Sequence, residues 1–135
     1  MIMVGPGTGV VPFIGFLQER HITTQKSVSH LFFGCRRSDS DFIYQDDIVQ
    51  YQAQGTLTKA HLAFSREENK QYVQDLMRRE SAMIRQVIVE DKGHIYLCGS
   101  TKMGQDVQAL LKEILGDDGF KIIEKEKRLI KELWG

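Results

Sequence analysis

The chain has 135 residues and a formal net charge of zero, with 18 basic and 18 acidic side chains. This length is typical of one domain, and zero net charge argues against the positive field that drives nucleic-acid binding. Two cysteines are too few for a disulfide framework, and no apolar run reaches the ~20 residues of a membrane-spanning helix. We therefore expect one soluble, reduced domain that contacts neither nucleic acid nor membrane.

The first half of the chain predicts two strand-helix repeats. Met1–Val4 is an apolar strand that ends in glycine, and Val11–Arg20 follows with the apolar spacing of a helix. Val28–Phe33 is the second strand, and a Ser-Asp-rich loop leads from it to a helix that passes through Ile48 and Tyr51.

The second half predicts two further repeats. Lys59–Phe64 is the third strand, and apolar residues then recur at three- and four-residue steps from Val73 to Ile88, which indicates one long helix. His94–Cys98 is the fourth strand. Four such repeats predict an α/β fold, a Rossmann-like parallel sheet with helices on both faces, whose ligands bind at the carboxyl ends of the strands.

The last predicted helix begins at Ser100 or Thr101, either of which can cap it, and ends at Gly116. The tail, Phe120–Gly135, is highly charged before its apolar end. We expect this tail to be helical in part.

A glycine-rich turn lies between the first strand and the first helix, in the order Gly5-Pro6-Gly7-Thr8-Gly9. Backbone N–H groups in such a turn can approach a pyrophosphate without a Cβ clash. The spacing differs from G-x-G-x-x-G and lacks the Lys-Ser/Thr pair of a P-loop, which argues against an NTPase. A tight turn without a ligand remains the alternative.

Basic residues follow the next two strands. Arg36 lies where an NADP-binding fold places an arginine for the 2′-phosphate, and Ser65, Arg66, Lys70 and Tyr72 follow the third strand. NADPH carries two separate phosphate regions and would satisfy both these groups and the glycine turn. The alternative for the second group is a capping serine followed by a solvated helix face.

The remaining reactive side chains have simple interpretations. A buried cysteine usually packs as a small hydrophobic residue, so core packing is favoured over a chemical role for Cys98, and more strongly for Cys35. The four histidines lack the spacing of metal ligands, so we expect no metal site.

Five motifs in the same order resemble the NADPH domain of the diflavin reductases, with the cytochrome P-450 reductases as the nearest branch. They are Met3–Phe13, Phe33–Arg37, Ala63–Glu67, Tyr96–Gly99 and Glu132–Trp134. The resemblance implies the C-terminal domain type of ferredoxin-NADP reductase, in which NADPH passes hydride to FAD. Electrons then move to FMN and on to a haem protein such as cytochrome P-450.

The resemblance also implies how residues 1–135 relate to a whole enzyme. We expect one NADP(H)-binding domain, the C-terminal fragment of a longer diflavin reductase whose FAD and FMN domains lie outside this chain. The fragment should be inactive alone. The parent is expected on the cytoplasmic side, anchored to the endoplasmic reticulum membrane by a segment outside this chain.

The resemblance assigns roles residue by residue. Cys98 and Glu132 would flank the nicotinamide, and Trp134 would cover the flavin ring. Glu132 stands where the family has aspartate, and Leu129 where it commonly has tyrosine. The residues assigned to NADP(H) are Gly5, Gly7, Thr8, Gly9, Arg36, Ser65, Arg66, Lys70, Tyr72, Gln74, Met103 and Asp106.

Two alternatives stay open. One is a single-flavin reductase of the ferredoxin-NADP type, which would lack an FMN domain. The other is a non-catalytic NADPH-binding or sensor module, which would have no need of Cys98, Glu132 and Trp134 together.

Overall fold

The fold is a parallel sheet of five strands in the order β3-β2-β1-β4-β5. The structure, a computed structural model, describes residues 1–22, 27–35, 44–65 and 71–135, without the side chain of residue 8. The strands are β1 (Ile2–Val4), β2 (His30–Cys35), β3 (Lys59–Phe64), β4 (Ile95–Ser100) and β5 (Leu129–Trp134).

Helices connect the strands, as a parallel sheet requires. They are α1 (Val11–Ile22), α2 (Gln45–Ala53), α3 (Val73–Arg79), α4 (Ser81–Arg85) and α5 (Thr101–Lys125). A 3₁₀ turn precedes α1 and a π-helical turn follows α4. Within the described ranges, no helix has the length and apolarity to cross a membrane. The predicted α/β parallel fold is confirmed.

The three inner strands, β2, β1 and β4, bury both faces because successive side chains alternate. Ile2 and Val4 point into a core shared with α3, α4 and α5, whereas Met3 points into a second core shared with α1 and α2. Hydrophobic burial on both sides therefore fixes the orientation of each strand.

The fifth strand corrects the prediction for the tail. The tail is helical through Lys125, as expected in part, but Leu129–Trp134 pairs in parallel with β4 along its whole length. Leu129 and Leu133 pack against the core, whereas Lys131 and Glu132 are exposed on this edge strand. The sequence Leu-Ile-Lys-Glu-Leu-Trp does not alternate between apolar and polar residues, so it gives no strand signal of its own.

The long helix predicted from Val73 to Ile88 is wrong in its continuity. The chain leaves helical geometry at Glu80, with φ −98° and ψ 24°, and residues 86–90 form a wider π-helical turn. The predicted end at Gly116 is confirmed, since its φ of 77° interrupts α5 and separates two helical parts.

Arg128 connects three segments at the start of β5. Its guanidinium is buried and donates to the carbonyl oxygens of Ile88, at 2.6 Å, and Gly93, at 3.1 Å. It also pairs with the Glu126 carboxylate at 3.0 Å. Carbonyls at helix ends lack intrahelical partners, and Arg128 supplies donors for one of them.

Replacing Arg128 with leucine should lower the free energy of unfolding by about 3 kcal/mol, because two carbonyls lose a charged donor. Urea denaturation would measure this change. The exposed Lys121, replaced in the same way, should change stability by less than about 0.5 kcal/mol. Equal denaturation midpoints for Arg128→Leu and Lys121→Leu would contradict the role of Arg128.

Candidate functional site

The connections of the sheet reverse direction at β1. The chain continues from β1 to β2 and β3 on one side, whereas β4 and β5 lie on the other side of β1. In open parallel sheets, ligands bind outside the carboxyl ends of the strands at such a switch point. The glycine-rich turn leaves β1 here, and Cys98 to Ser100 end β4 here.

The glycine turn bridges the two strands that flank β1. The N–H of Gly5 donates to the carbonyl of Phe32 on β2 at 3.0 Å, whereas a Cβ on Gly9 would overlap the carbonyl of Cys98 on β4. Gly7 adopts a φ of 59°, which favours glycine. The turn therefore needs small residues, and it leads into α1 with the geometry that suits an anion.

Cys98 and Glu132 lie opposite each other on β4 and β5. Cys98 is only 2% exposed and packs within the core on the α1 side. Burial raises the pKa of the Cys98 thiol, and the Glu132 carboxylate raises this pKa further. The thiol is therefore protonated at neutral pH and is a poor nucleophile. The structure thus brings together two of the three residues predicted to act at the nicotinamide.

The third of these residues, Trp134, lies opposite Ser100 on the same face of β5 as Glu132, with 48% of its surface exposed.

The start of α5 lies beside these residues. The hydroxyl of Ser100 accepts the N–H of Met103 at 3.1 Å, which identifies Ser100 as the cap of α5. Met103 is buried in the first turn of this helix. Asp106 lies one turn further along, where its exposed carboxylate is 4.0 Å from the ammonium of Lys102.

A second group of predicted residues surrounds the end of β3. The N–H of Ser65 donates to the carbonyl of Cys35 at the end of β2, at 3.0 Å. The N–H of Gln71 donates to the carbonyl of Phe64 at 3.1 Å. Ser65 and Gln71 therefore both lie at the carboxyl end of β3.

Tyr72 and Gln74 begin α3 on this side of the site. The ring of Tyr72 is half exposed, and its backbone N–H donates to the carboxylate of Asp75 at 2.9 Å. This contact caps the helix and fixes the backbone from which the Tyr72 ring projects. Gln74 is half-buried in the first turn.

Several predicted ligands of the nucleotide cannot be placed. Arg36, Arg66 and Lys70 lie outside the described residues, as does the side chain of Thr8. Their assignments remain predictions. In the part of the chain that the structure describes, no three His, Cys, Asp or Glu side chains form a group that could hold a metal ion.

Gly34 lies where the glycine turn meets the group of residues at the end of β3, although the sequence alone predicts only that it ends a strand. A Cβ on Gly34 would lie 3.2 Å from Cγ1 of Val73 and 3.5 Å from Cβ of Pro6. The end of β2, the start of α3 and the glycine turn therefore pack together. A glycine directly before Cys35 is the only sequence signal of this close approach.

Known proteins resemble this chain over most of its length. Residues 3–109 match the family described as the oxidoreductase NAD-binding domain. The chain is 47% identical to NADPH–cytochrome P450 reductase of Cavia porcellus over 125 residues, which cover 88% of this chain and 18% of that protein. The Homo sapiens enzyme of the same name is 45% identical with the same coverage.

The Musca domestica enzyme of that name is 42% identical over 150 residues, covering 99% of this chain and 22% of that protein. The chain thus spans about a fifth of the length of these curated relatives. The resemblance predicted from the five motifs is confirmed. With a glycine turn at the switch point of a parallel sheet, the chain belongs to the family of oxidoreductase NAD-binding domains and is similar to the corresponding segment of NADPH–cytochrome P450 reductases.

Proposed function

We propose that this chain is the NADP(H)-binding domain of a diflavin reductase and positions the nicotinamide for hydride transfer to FAD. The observation that carries this proposal is the placement of Cys98 opposite Glu132, beside the glycine turn at the switch point. A sensor of NADPH needs only the residues that bind the phosphates and adenosine of the nucleotide. A buried thiol and a carboxylate at the other end favour a reaction.

The nucleotide would extend across the carboxyl ends of the strands. Its pyrophosphate would lie against the glycine turn, where nothing is within 4 Å of a Cβ built on Gly7 and backbone N–H groups can approach an anion. Its adenosine 2′-phosphate would lie near Ser65 and Tyr72, beside the segment that carries Arg66. This orientation directs the nicotinamide to β4 and β5.

At the nicotinamide end, NADPH when bound supplies the hydride that the flavin accepts. Cys98, which is only 2% exposed and carries a protonated thiol, would border the site of the ring as a neutral group. The Glu132 carboxylate would supply negative charge near the ring, which favours a transition state in which the ring becomes positive. Trp134 is exposed at the same edge, so its indole is free to cover a flavin from another domain and to move aside for the nicotinamide.

The wider electron path is part of the same proposal. The relatives are named as reductases of cytochrome P450. By analogy, the FAD and FMN domains of the parent protein would accept electrons in turn and deliver them to a haem protein. A cytoplasmic site at the endoplasmic reticulum membrane would place the parent beside such an acceptor.

Calorimetry with NADP⁺, NAD⁺ and 2′,5′-ADP tests the nucleotide half of this proposal. We expect NADP⁺ and 2′,5′-ADP to bind at least about tenfold more tightly than NAD⁺, since a 2′-phosphate adds about −1.5 to −2 charges opposite basic side chains. Raising the salt concentration should reduce this preference. Equal affinities for NADP⁺ and NAD⁺ would rule out a 2′-phosphate site.

A further inference from the structure

Gly104 lies inside the first part of α5 and is buried. Glycine is a poor helix former, so its presence inside a helix calls for a packing reason. A Cβ on Gly104 would overlap Cδ1 of Leu133 and lie 2.8 Å from Cδ2 of the same side chain. The missing side chain thus leaves a socket on α5 that Leu133 of β5 fills.

Leu133 sits between the two residues of β5 that the proposed function needs. Glu132 and Trp134 project from one face of the strand and Leu133 from the other, because successive side chains alternate. The packing of Leu133 in the socket therefore acts together with the backbone pairing to β4 in placing Glu132 and Trp134 on the opposite face.

The register of β5 needs such a determinant. Among the described residues, β5 pairs with β4 alone, so hydrogen bonds hold it from one side only. A slip by two residues would keep the same face toward each core but would move Glu132 away from Cys98. Arg128 holds the beginning of the strand, and the socket lies near its end.

We propose that Gly104 is a positioning residue whose socket for Leu133 holds Glu132 opposite Cys98. This inference rests on the proposed function for its chemical meaning, but its geometry can be tested without nucleotide. Filling the socket should separate Glu132 from Cys98, and shortening Leu133 at the same time should restore the contact.

The test measures the influence of Glu132 on the Cys98 thiol in a Cys35→Ser background. Near pH 8, Glu132→Gln should speed alkylation of Cys98 by about threefold, because a nearby carboxylate disfavours the thiolate. We expect this difference to vanish when Gly104→Ala is present and to return in Gly104→Ala/Leu133→Val. A difference that persists in Gly104→Ala would overturn the proposal.

Gly15→Ala is the matched control, since Gly15 is also inside a helix but nothing lies within 4 Å of an added Cβ. It should keep the threefold difference. If Gly104→Ala does not fold, Leu133→Ala provides a second test, because it empties the socket without any overlap. It should also abolish the difference in Cys98 alkylation rate that Glu132→Gln produces. A full difference in Leu133→Ala would overturn the proposal.

Calorimetry with 2′,5′-ADP separates this inference from the proposed function. The folded variants should bind it as the parent does, because the segment around Ser65 and Tyr72 lies at the other side of the sheet. Failure of the parent to bind would sink the proposed function, whereas the thiol comparison would still decide the role of Gly104.

Discussion

The free energy of unfolding is expected to fall by roughly 3 kcal/mol as the pH is lowered from 6.5 to 4, because His61 stays neutral in the fold. His61 and His30 are buried on β3 and β2, with Nε2 of the first 3.1 Å from Nδ1 of the second. The His61 ring also stacks on Phe32, with centroids 4.4 Å apart. A hydrogen bond between two ring nitrogens requires one of them to accept, so the two imidazoles cannot both be cationic while this contact persists.

The sign follows from proton binding in the two states. Burial, and secondly the charge of His30, lowers the pKa of His61 from 6.5 to about 4, whereas the unfolded chain protonates near 6.5. Between these values the unfolded state binds more protons, so stability rises with pH. The contribution of the neutral His61 to the free energy of unfolding is complete above pH 6.5 and is lost as the pH falls through about 4.

Neighbouring charges modify this effect but do not reverse it. Burial also lowers the pKa of His30, and Lys59 lowers the pKa of both histidines. Glu80 acts in the opposite direction on both. Since burial is the largest cause for each histidine, the neutral forms are retained.

Urea denaturation at several pH values and constant ionic strength would measure the effect. His61→Gln keeps a side chain that can bond to His30 but does not titrate, so its stability should depend less on pH. His94→Gln changes an exposed histidine and should behave like the parent. If His61→Gln and the parent lost stability in parallel, carboxylates elsewhere would be responsible.

The sheet could be predicted because its signals are local. Lys59–Phe64 matches β3 at both ends, and glycine marks both the turn after β1 and the interruption at Gly116. Apolar runs bounded by turns, with helical spacing between them, are sufficient to indicate a parallel sheet. The carboxyl ends of the strands, and hence the side of the site, follow from that topology.

The features that the sequence did not predict depend on contacts between segments that are distant along the chain. Nothing within residues 129–134 shows that a charged hexapeptide pairs with β4, and the register that places Glu132 opposite Cys98 is visible only once it does. The break at Glu80 involves neither glycine nor proline. Arg128 resembles its charged neighbours in sequence, although it is 9% exposed and donates to two distant carbonyls.

Arg66→Ala is expected to weaken binding of NADP⁺ by about tenfold to a hundredfold and to leave NAD⁺ nearly unchanged. A charge-assisted hydrogen bond contributes roughly 1.5 to 3 kcal/mol, and each ~1.4 kcal/mol is a factor of ten in affinity. NAD⁺ lacks the 2′-phosphate and has no such bond to lose. Arg66 itself lies outside the described residues, so the prediction rests on its motif and on the placement of Ser65 and Tyr72 at either side of it.

Calorimetric titration of both nucleotides into the parent, Arg66→Ala and Arg66→Lys would test this prediction. Lysine keeps the charge but loses the paired donors of the guanidinium, so Arg66→Lys should lie between the other two. Arg78→Ala is the matched control, because Arg78 is an exposed arginine at the far end of α3 and should change neither affinity. The salt dependence of NADP⁺ binding should also be shallower in Arg66→Ala, since one fewer cation faces the phosphate. Equal losses for NADP⁺ and NAD⁺ would place Arg66 at a part of the nucleotide that both share, such as the pyrophosphate.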